Sequence, residues 1–451
     1  MLIENAPAPQ LDVEGLARVA ERAAERFAES NPKSAAAHVD ALAVMPGGNT
    51  RSVLFYAPFP LTIARGEGKR LWDLDGHAYT DFLAEYTTAM YGHSHPVIRA
   101  AIVEALDNGL NLTGHNTLEV PLARLLRERF ESVESLRFTN SGTESNLMAI
   151  AASLIFTGRR KVVAFTGGYH GGVLTFGSGN SPVNVPHEFI VATYNDLAGV
   201  QQIFATHGDE IAAVIVEPMQ VAGGCIVGEP AFLAGLRELT RQHGALLIFD
   251  EVVTSRLSGG GRQALLGIRP DLTTFGKYIG GGMSFGAFGG RSDVMAQFDP
   301  RRPGATPHAG TFNNNVLSMS AGHAGLSQLY TPGAAAALSE KGERLRARLN
   351  GLCRERGVAM QFTGIGSLMN LHAGVQPIHS VQDFVEGESP LKDLFFFHML
   401  ERGCYVARRG FIVLTLAHDE SDLERFAEAV TSFVDRHDAL LRALNHSRRP
   451  R

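Results

Sequence analysis

The stretch ALLIFDEVV, Ala245–Val253, sets five apolar residues in a row before an aspartate. A strand with one wet face would alternate apolar and polar residues. An unbroken apolar run reads instead as a strand covered on both faces, the usual condition of a parallel sheet. IAAVIVEP (Ile211–Pro218) has the same character, and LRFTN (Leu136–Asn140) and KVVAFTGG (Lys161–Gly168) read as further strands. Helical segments fall between them: one carries Leu147, Ile150, Ala151 and Leu154 on one face, another runs from Ala231 to His243. This alternation predicts an α/β fold, a mostly parallel sheet with helices on both faces, whose ligands bind beyond the carboxyl ends of the strands.

The flanks have a different texture. Leu11–Phe27 reads as an Ala/Glu/Arg helix, and Tyr56–Phe82 as short strands and turns. From about Thr331 come a long amphipathic helix (ALSEKGERLRARLNGLCRERG, Ala337–Gly357), a short strand FIVLTL (Phe411–Leu416) and a last helix from Asp419 to about Leu444. The expected division is an N-terminal segment 1–80 completing the small lobe, a large domain 81–330 and a C-terminal α/β domain 331–451. The basic tail SRRPR (Ser447–Arg451) reads as solvated and disordered. A hydrophobic content of 45% with 19% charged residues is that of an ordinary globular protein, and a net charge of −5 carries no nucleic-acid footprint. The first thirty residues carry charges throughout and no signal-peptide core, and no apolar run is long enough to span a bilayer, so a cytoplasmic protein is expected. Cys225, Cys353 and Cys404 match neither metal nor disulfide spacing and read as buried thiols; no metal site is expected.

Three features stand where such a fold binds ligands. Ser141-Gly142-Thr143-Glu144 lies after a strand and at the start of a helix. Taken alone it is an ordinary cap. Its orphan N–H groups, the helix dipole and two hydroxyls also make a seat for a phosphate. Asp250 ends the apolar run, where a carboxylate needs a cation or hydrogen-bond donors because an unpaired buried charge is very costly. An ion pair with an arginine would serve equally. Lys277 follows the strand formers Leu272–Phe275 and precedes a glycine tract, in DLTTFGKYIGGGMSFGAFGGR (Asp271–Arg291). Most lysines snorkel to the surface, but here the glycines and the lack of neighbouring charges argue otherwise. A phosphate seat, a carboxylate for a pyridinium nitrogen and a lysine that condenses with an aldehyde are together what pyridoxal 5′-phosphate requires. Burial and a nearby cationic ring would lower the amine's pKa, and the adjoining glycines are expected to leave room for cofactor and substrate. A Walker A loop would need glycine at Asp271 and Ser or Thr at Tyr278. Gly259–Ala264 (GGGRQA) fits the loose GxGxxA pattern of a nucleotide-binding dehydrogenase, but several residues past the end of its strand.

The motifs RFTNSGTESNLMA (Arg137–Ala149), TGGYHGG (Thr166–Gly172), VIVEPMQ (Val214–Gln220), LLIFDEVVTSR (Leu246–Arg256), DLTTFGKYIGGG (Asp271–Gly282) and GTFNNN (Gly310–Asn315) resemble the class III aminotransferases of fold type I, a family that includes glutamate-1-semialdehyde aminomutase. RSVLFYAPFPLTIARGEG (Arg51–Gly68), YGHSHP (Tyr91–Pro96), NLTGHN (Asn111–Asn116) and GKYIGGGMSFGAFGGR (Gly276–Arg291) extend the likeness over nearly the whole chain, towards the aromatic β-amino acid (β-phenylalanine) aminotransferases. The resemblance implies that Lys277 carries the cofactor and moves the proton, and that Asp250 keeps the ring nitrogen protonated. It implies a phosphate site of Ser141, Gly142 and Thr143, with Thr311 reaching the same phosphate from the partner of a homodimer. Tyr169 and Val252 would press on the two ring faces, with Glu217 and Gln220 near the ring hydroxyl. His170, His93 and His95 read as packing or loop residues.

A substrate amino acid is held by its carboxylate, for which a guanidinium fork is the best partner. The resemblance points to Arg51 for this role. In a β-amino acid the carboxylate lies one carbon further from the amine, so its site is expected to be set off from the cofactor. Phe55, Tyr56 and Tyr86 are candidate walls for an aryl group. One pocket must also take the carboxylate of a 2-oxo acid such as 2-oxoglutarate, for which Arg409 is the candidate and Arg408 its competitor. An aminomutase would share every cofactor residue. The aromatic entry SVLFYAPFP (Ser52–Pro60) argues against its small substrate.

Overall fold

The computed structural model describes residues 11–442. Asp12 opens the first helix, α1 (Val13–Ser30), by accepting the Gly15 N–H on Oδ1 at 2.8 Å. Leu16, Ala20, Ala23 and Phe27, spaced for one helical face, are buried. Three short antiparallel strands follow: β1 (Ile63–Glu67), β2 (Arg70–Asp73) and β3 (Ala78–Asp81).

The central sheet contains β4 (Ser135–Thr139), β5 (Lys161–Phe165), β6 (Glu188–Ala192) and β7 (Ile211–Val216). After a small hairpin, β8 (Met219–Gln220) and β9 (Ile226–Val227), it continues with β10 (Leu246–Asp250), β11 (Leu272–Gly276) and β12 (Gly286–Gly290). Its spatial order is β4-β12-β11-β10-β7-β5-β6. All its pairs are parallel except those of β12, which runs antiparallel to β11 and β4. Every residue of β7, β10 and β11 is buried, and the alternation explains how. Ala213, Ile215, Leu246 and Ile248 pack with Ala149 and Ile150 of α2 (Gly142–Thr157). Val214, Val216, Leu247 and Phe249 turn the other way, to Phe232, Leu233 and Leu236 of α3 (Pro230–His243). The unbroken apolar run is the price of two covered faces.

Beyond α4 (Val316–Ala324) and α5 (Pro332–Arg356), β13 (Met360–Ile365), β14 (Leu368–Ala373) and β16 (Phe411–Val413) form an antiparallel sheet. Helices α6 (Glu388–Glu401) and α7 (Glu420–Leu441) complete this part. The strand β15 (Cys404–Tyr405) instead joins β3, with Cys404 opposite Thr80. Helix α1 also packs on α6, Phe27 lying 5.4 Å from Phe397, and the Asp12 N–H donates to the Leu440 carbonyl at 3.1 Å. The two ends of the described chain are thus built into one another.

Two details depart from the sequence reading. The run Ala245–Val253 stays extended only to Asp250, whose Oδ1 accepts the Val252 N–H at 3.0 Å and turns the chain out of the sheet. FIVLTL is a strand only to Val413. Helix α7 is described to Leu441, and the tail Ser447–Arg451 lies outside the described residues. All three cysteines are buried free thiols. Among the described residues no helix is long and apolar enough to cross a membrane, and no group of His, Cys, Asp and Glu has metal-holding geometry.

Candidate active site

The carboxyl ends of β4, β5, β7, β10 and β11 point to one edge of the sheet, and each delivers a residue to a single cavity of about 620 Å³. Ser141, Gly142 and Thr143 come after β4, Tyr169 after β5 and Glu217 after β7; Asp250 ends β10 and Lys277 follows β11. Strand topology therefore gathers residues that lie far apart in sequence. Ser141 caps α2, its Oγ accepting the Glu144 N–H at 3.1 Å, so the first turn of a sixteen-residue helix opens onto the cavity. A Cβ on Gly142 would lie 2.8 Å from Val252, which also lines the cavity.

Asp250 is buried, and donors surround its carboxylate. Oδ2 meets His170 Nδ1 at 2.7 Å and accepts from Asn146 Nδ2 at 2.8 Å, while Oδ1 takes the Val252 N–H. Asn146 also donates to the His170 carbonyl and accepts the Thr274 hydroxyl at 2.6 Å, tying α2, β11 and the Tyr169–Gly172 loop to one carboxylate. Sequence reasoning missed Asn146. The signal was a lone amide on the apolar face of α2, one turn after its cap. Glu217 accepts the Tyr169 N–H at 3.1 Å, and burial together with the nearby Asp250 charge pushes its pKa well above the ordinary carboxylate value.

Lys277 adopts φ 58°, in the left-handed region. Burial, then the positive Arg409, lowers its amine from 10.5 to about 8, with Glu85 and Asp250 pulling the other way. The glycines beside it do something other than expected. A Cβ on Gly281 would collide with the backbone at Ala321 in α4, and one on Gly286 with the Ser141 carbonyl. Gly281 and Gly286 are glycine because α4 and the β4–α2 turn lie against their backbone. Only Gly282, which lines the cavity with nothing near its missing side chain, fits the idea of room left open.

The candidate substrate residues separate. Arg51, Tyr86 and Arg409 line the cavity. Arg51 Nη1 pairs with Glu85 Oε1 at 2.6 Å, both side chains about half exposed. The Arg409 guanidinium lies 5.2 Å from the Tyr86 ring centroid, and its buried Nε meets no acceptor among the described residues. Arg408 is turned away, bound through Nε and Nη2 to Asp393 at 2.7 Å each. Phe55 stands outside the cavity, half exposed against His38, and Tyr56 is a core residue packed on Phe27 and Phe396. Gln220 is buried behind the cavity wall, its amide donating to the Thr166 carbonyl at 3.0 Å. Thr311 lies elsewhere, exposed in a broad depression with Leu110, Leu112, Val120 and Phe312, which Asn140 joins to the site through Asn313 at 3.0 Å. His93 binds Asp81 and His95 caps a helix, both structural tasks.

This geometry has counterparts among known proteins. The family model "Aminotransferase class-III" matches residues 55–387. A β-phenylalanine transaminase of Variovorax paradoxus is 60% identical over 420 residues, covering 93% of this chain and 96% of that protein. The crystal structure of a β-phenylalanine aminotransferase from that organism superposes with a TM-score of 0.94, at 58% identity, over 95% of this chain and all of the other. A glutamate-1-semialdehyde 2,1-aminomutase of Desulforudis audaxviator is 39% identical over 418 residues, covering 88% of this chain and 96% of that protein. With a match across most of its length, this chain belongs to the class-III aminotransferases.

Proposed function

We propose that this enzyme takes the amino group of an aromatic β-amino acid resembling β-phenylalanine and gives it to a 2-oxo acid such as 2-oxoglutarate or pyruvate. The observation that carries the reading is the pair of arginines in one cavity: Arg51 near the mouth and Arg409 inside, the latter without an acidic partner among the described residues. Two guanidinium positions suit a pocket that must hold an aryl acid in one half-reaction and a diacid in the other. The enzyme is a pyridoxal phosphate transaminase, and the residues present fit that cofactor: an open helix N-terminus, a buried carboxylate ringed by donors and a desolvated lysine. When bound, the cofactor supplies an aldehyde and an electron-accepting ring.

In this reading Ser141, Gly142 and Thr143 bind the phosphate, and Tyr169 and Val252 confine the ring. Asp250, steadied by His170 and Asn146, holds a proton on the ring nitrogen. Lys277, whose amine titrates near 8, is largely uncharged under mildly alkaline conditions and moves the proton at the substrate carbon. Tyr86 is the apolar wall that supports an aryl donor. The protein works as a homodimer in the cytoplasm, Thr311 serving the partner's phosphate site; the exposed apolar surface around Phe312 supports the former and three reduced thiols the latter. The same reading groups residues 1–80 with 331–451 around a large domain 81–330, supported by β15 beside β3 and α1 on α6.

A donor panel tests it: β-phenylalanine, β-alanine, 1-phenylethylamine and glutamate-1-semialdehyde, each with 2-oxoglutarate and with pyruvate. The expected result is the highest kcat/KM for β-phenylalanine. Preference for glutamate-1-semialdehyde would turn the assignment to an aminomutase.

A further inference from the structure

Four consecutive residues, Ala84, Glu85, Tyr86 and Thr87, have φ values of 52°, 49°, 51° and 81°, and none is glycine. A left-handed turn of L-residues is costly at every position, and such strain persists only where the surroundings impose it and concentrates at functional sites. Here Asp81 Oδ1 accepts the N–H groups of Leu83 and Ala84 at 2.9 Å each, and Ala84, Thr87 and Leu83 are buried. What the turn achieves is visible in its two remaining side chains, exposed Glu85 and half-buried Tyr86. Glu85 reaches Arg51, and Tyr86 reaches Arg409 while its hydroxyl donates to the Val53 carbonyl at 3.3 Å. A right-handed turn would aim them elsewhere. One strained segment therefore controls the surroundings of both cavity arginines.

We propose that Glu85 is a specificity-determining residue: it occupies Arg51 in the resting enzyme as a stand-in for the substrate carboxylate, and the donor is admitted by exchange with it. The inference rests on the reading of Arg51 as the donor's carboxylate site. Geometry favours exchange over a permanent pair. Glu85 Oε1 meets Arg51 Nη1 with both side chains about half exposed, so the pair is one of the weak, water-screened kind. An incoming carboxylate in two-point contact with the fork is the stronger partner. The occupied arginine keeps a selective threshold: amines without a carboxylate have nothing to exchange with Glu85. Glu85 also opposes the two arginines at Lys277, so its departure alters the charge around the amine when a donor arrives.

The test uses the holoenzyme and 3-phenylpropanoate, a carboxylate probe with no amine, titrated by calorimetry into the native enzyme, Glu85→Gln, Glu85→Asp and Arg51→Ala. With the internal competitor neutralised or shortened, Kd should fall about three- to fivefold in both Glu85 variants, the range set by a half-exposed ion pair. The KM for β-phenylalanine should fall by a similar factor relative to that for 1-phenylethylamine on the same variant. Arg51→Ala should weaken the probe at least tenfold. If Arg51→Ala weakens binding but the Glu85 variants bind the probe equally or more weakly, Glu85 is at most an orienting partner and the exchange idea is overturned. If Arg51→Ala leaves binding intact, the carboxylate assignment itself has failed, and the inference with it.

Discussion

On the surface a lysine stays charged and unreactive at neutral pH. Lys277 is held near pKa 8 instead of 10.5, and the shift makes a prediction for the apoenzyme. Below pH 8 both native and unfolded chains carry the proton, and the native state bears the full penalty of burying it. Between pH 8 and 10.5 only the unfolded chain binds it, so stability rises with pH across that window. Lys277→Met should therefore stabilise the apoenzyme by roughly 2 kcal/mol at pH 7, allowing for the part of the side chain open to the cavity. The gain should fade by about pH 11, and denaturant titrations at three pH values measure it; a gain independent of pH would assign it to packing. Lys277 and Asp250 could be found in the sequence because each interrupts or ends a run of strand formers. Glu85 could not, since LAEYTT has no mark of a left-handed turn. The difference between Arg408 and Arg409 was equally silent, because adjacent residues point apart only once the path of the backbone is known.

The elements around the site repeat the lesson at a larger size. Strands β7, β10 and β11 are legible because burial on both faces leaves a continuous apolar signature. Strand β12, GAFGG, is not: glycine is a poor strand former, and what selects it is the backbone of neighbouring elements. Gly286→Ala tests that account. The added methyl would press on the Ser141 carbonyl and the Thr139 and Ser145 hydroxyls at the root of the proposed phosphate site. A loss of roughly 2–3 kcal/mol is expected, with a lower Tm and weaker cofactor retention. An unchanged Tm would show that the β4–α2 turn yields easily.

For the whole molecule, the broad surface around Thr311 is the feature most in need of a partner. Leu110, Leu112, Val120 and Phe312 are 46%, 49%, 62% and 57% exposed and lie together in the depression that holds Thr311, where an apolar cluster suits contact with another subunit. Phe312→Asp should convert the proposed dimer to monomer in sedimentation velocity and abolish turnover while far-UV circular dichroism stays native. A monomeric native enzyme would refute the shared site. Continuous apolar runs made the middle strands of the central sheet legible, but nothing in them foretold that β15 would cross to β3, because pairing across such a sequence separation leaves no local pattern.

The junction of the chain's two ends has a consequence for synthesis. Arg26 of α1 bonds Glu401 of α6, 375 residues later. At ribosomal rates that delay is about 20 to 75 s. Throughout it, Leu16, Ala20 and Ala23 lack the cover of α6, and only Phe27 has earlier partners, in Tyr56 and Phe59, so the nascent chain should engage a holding chaperone at α1 until α6 has emerged.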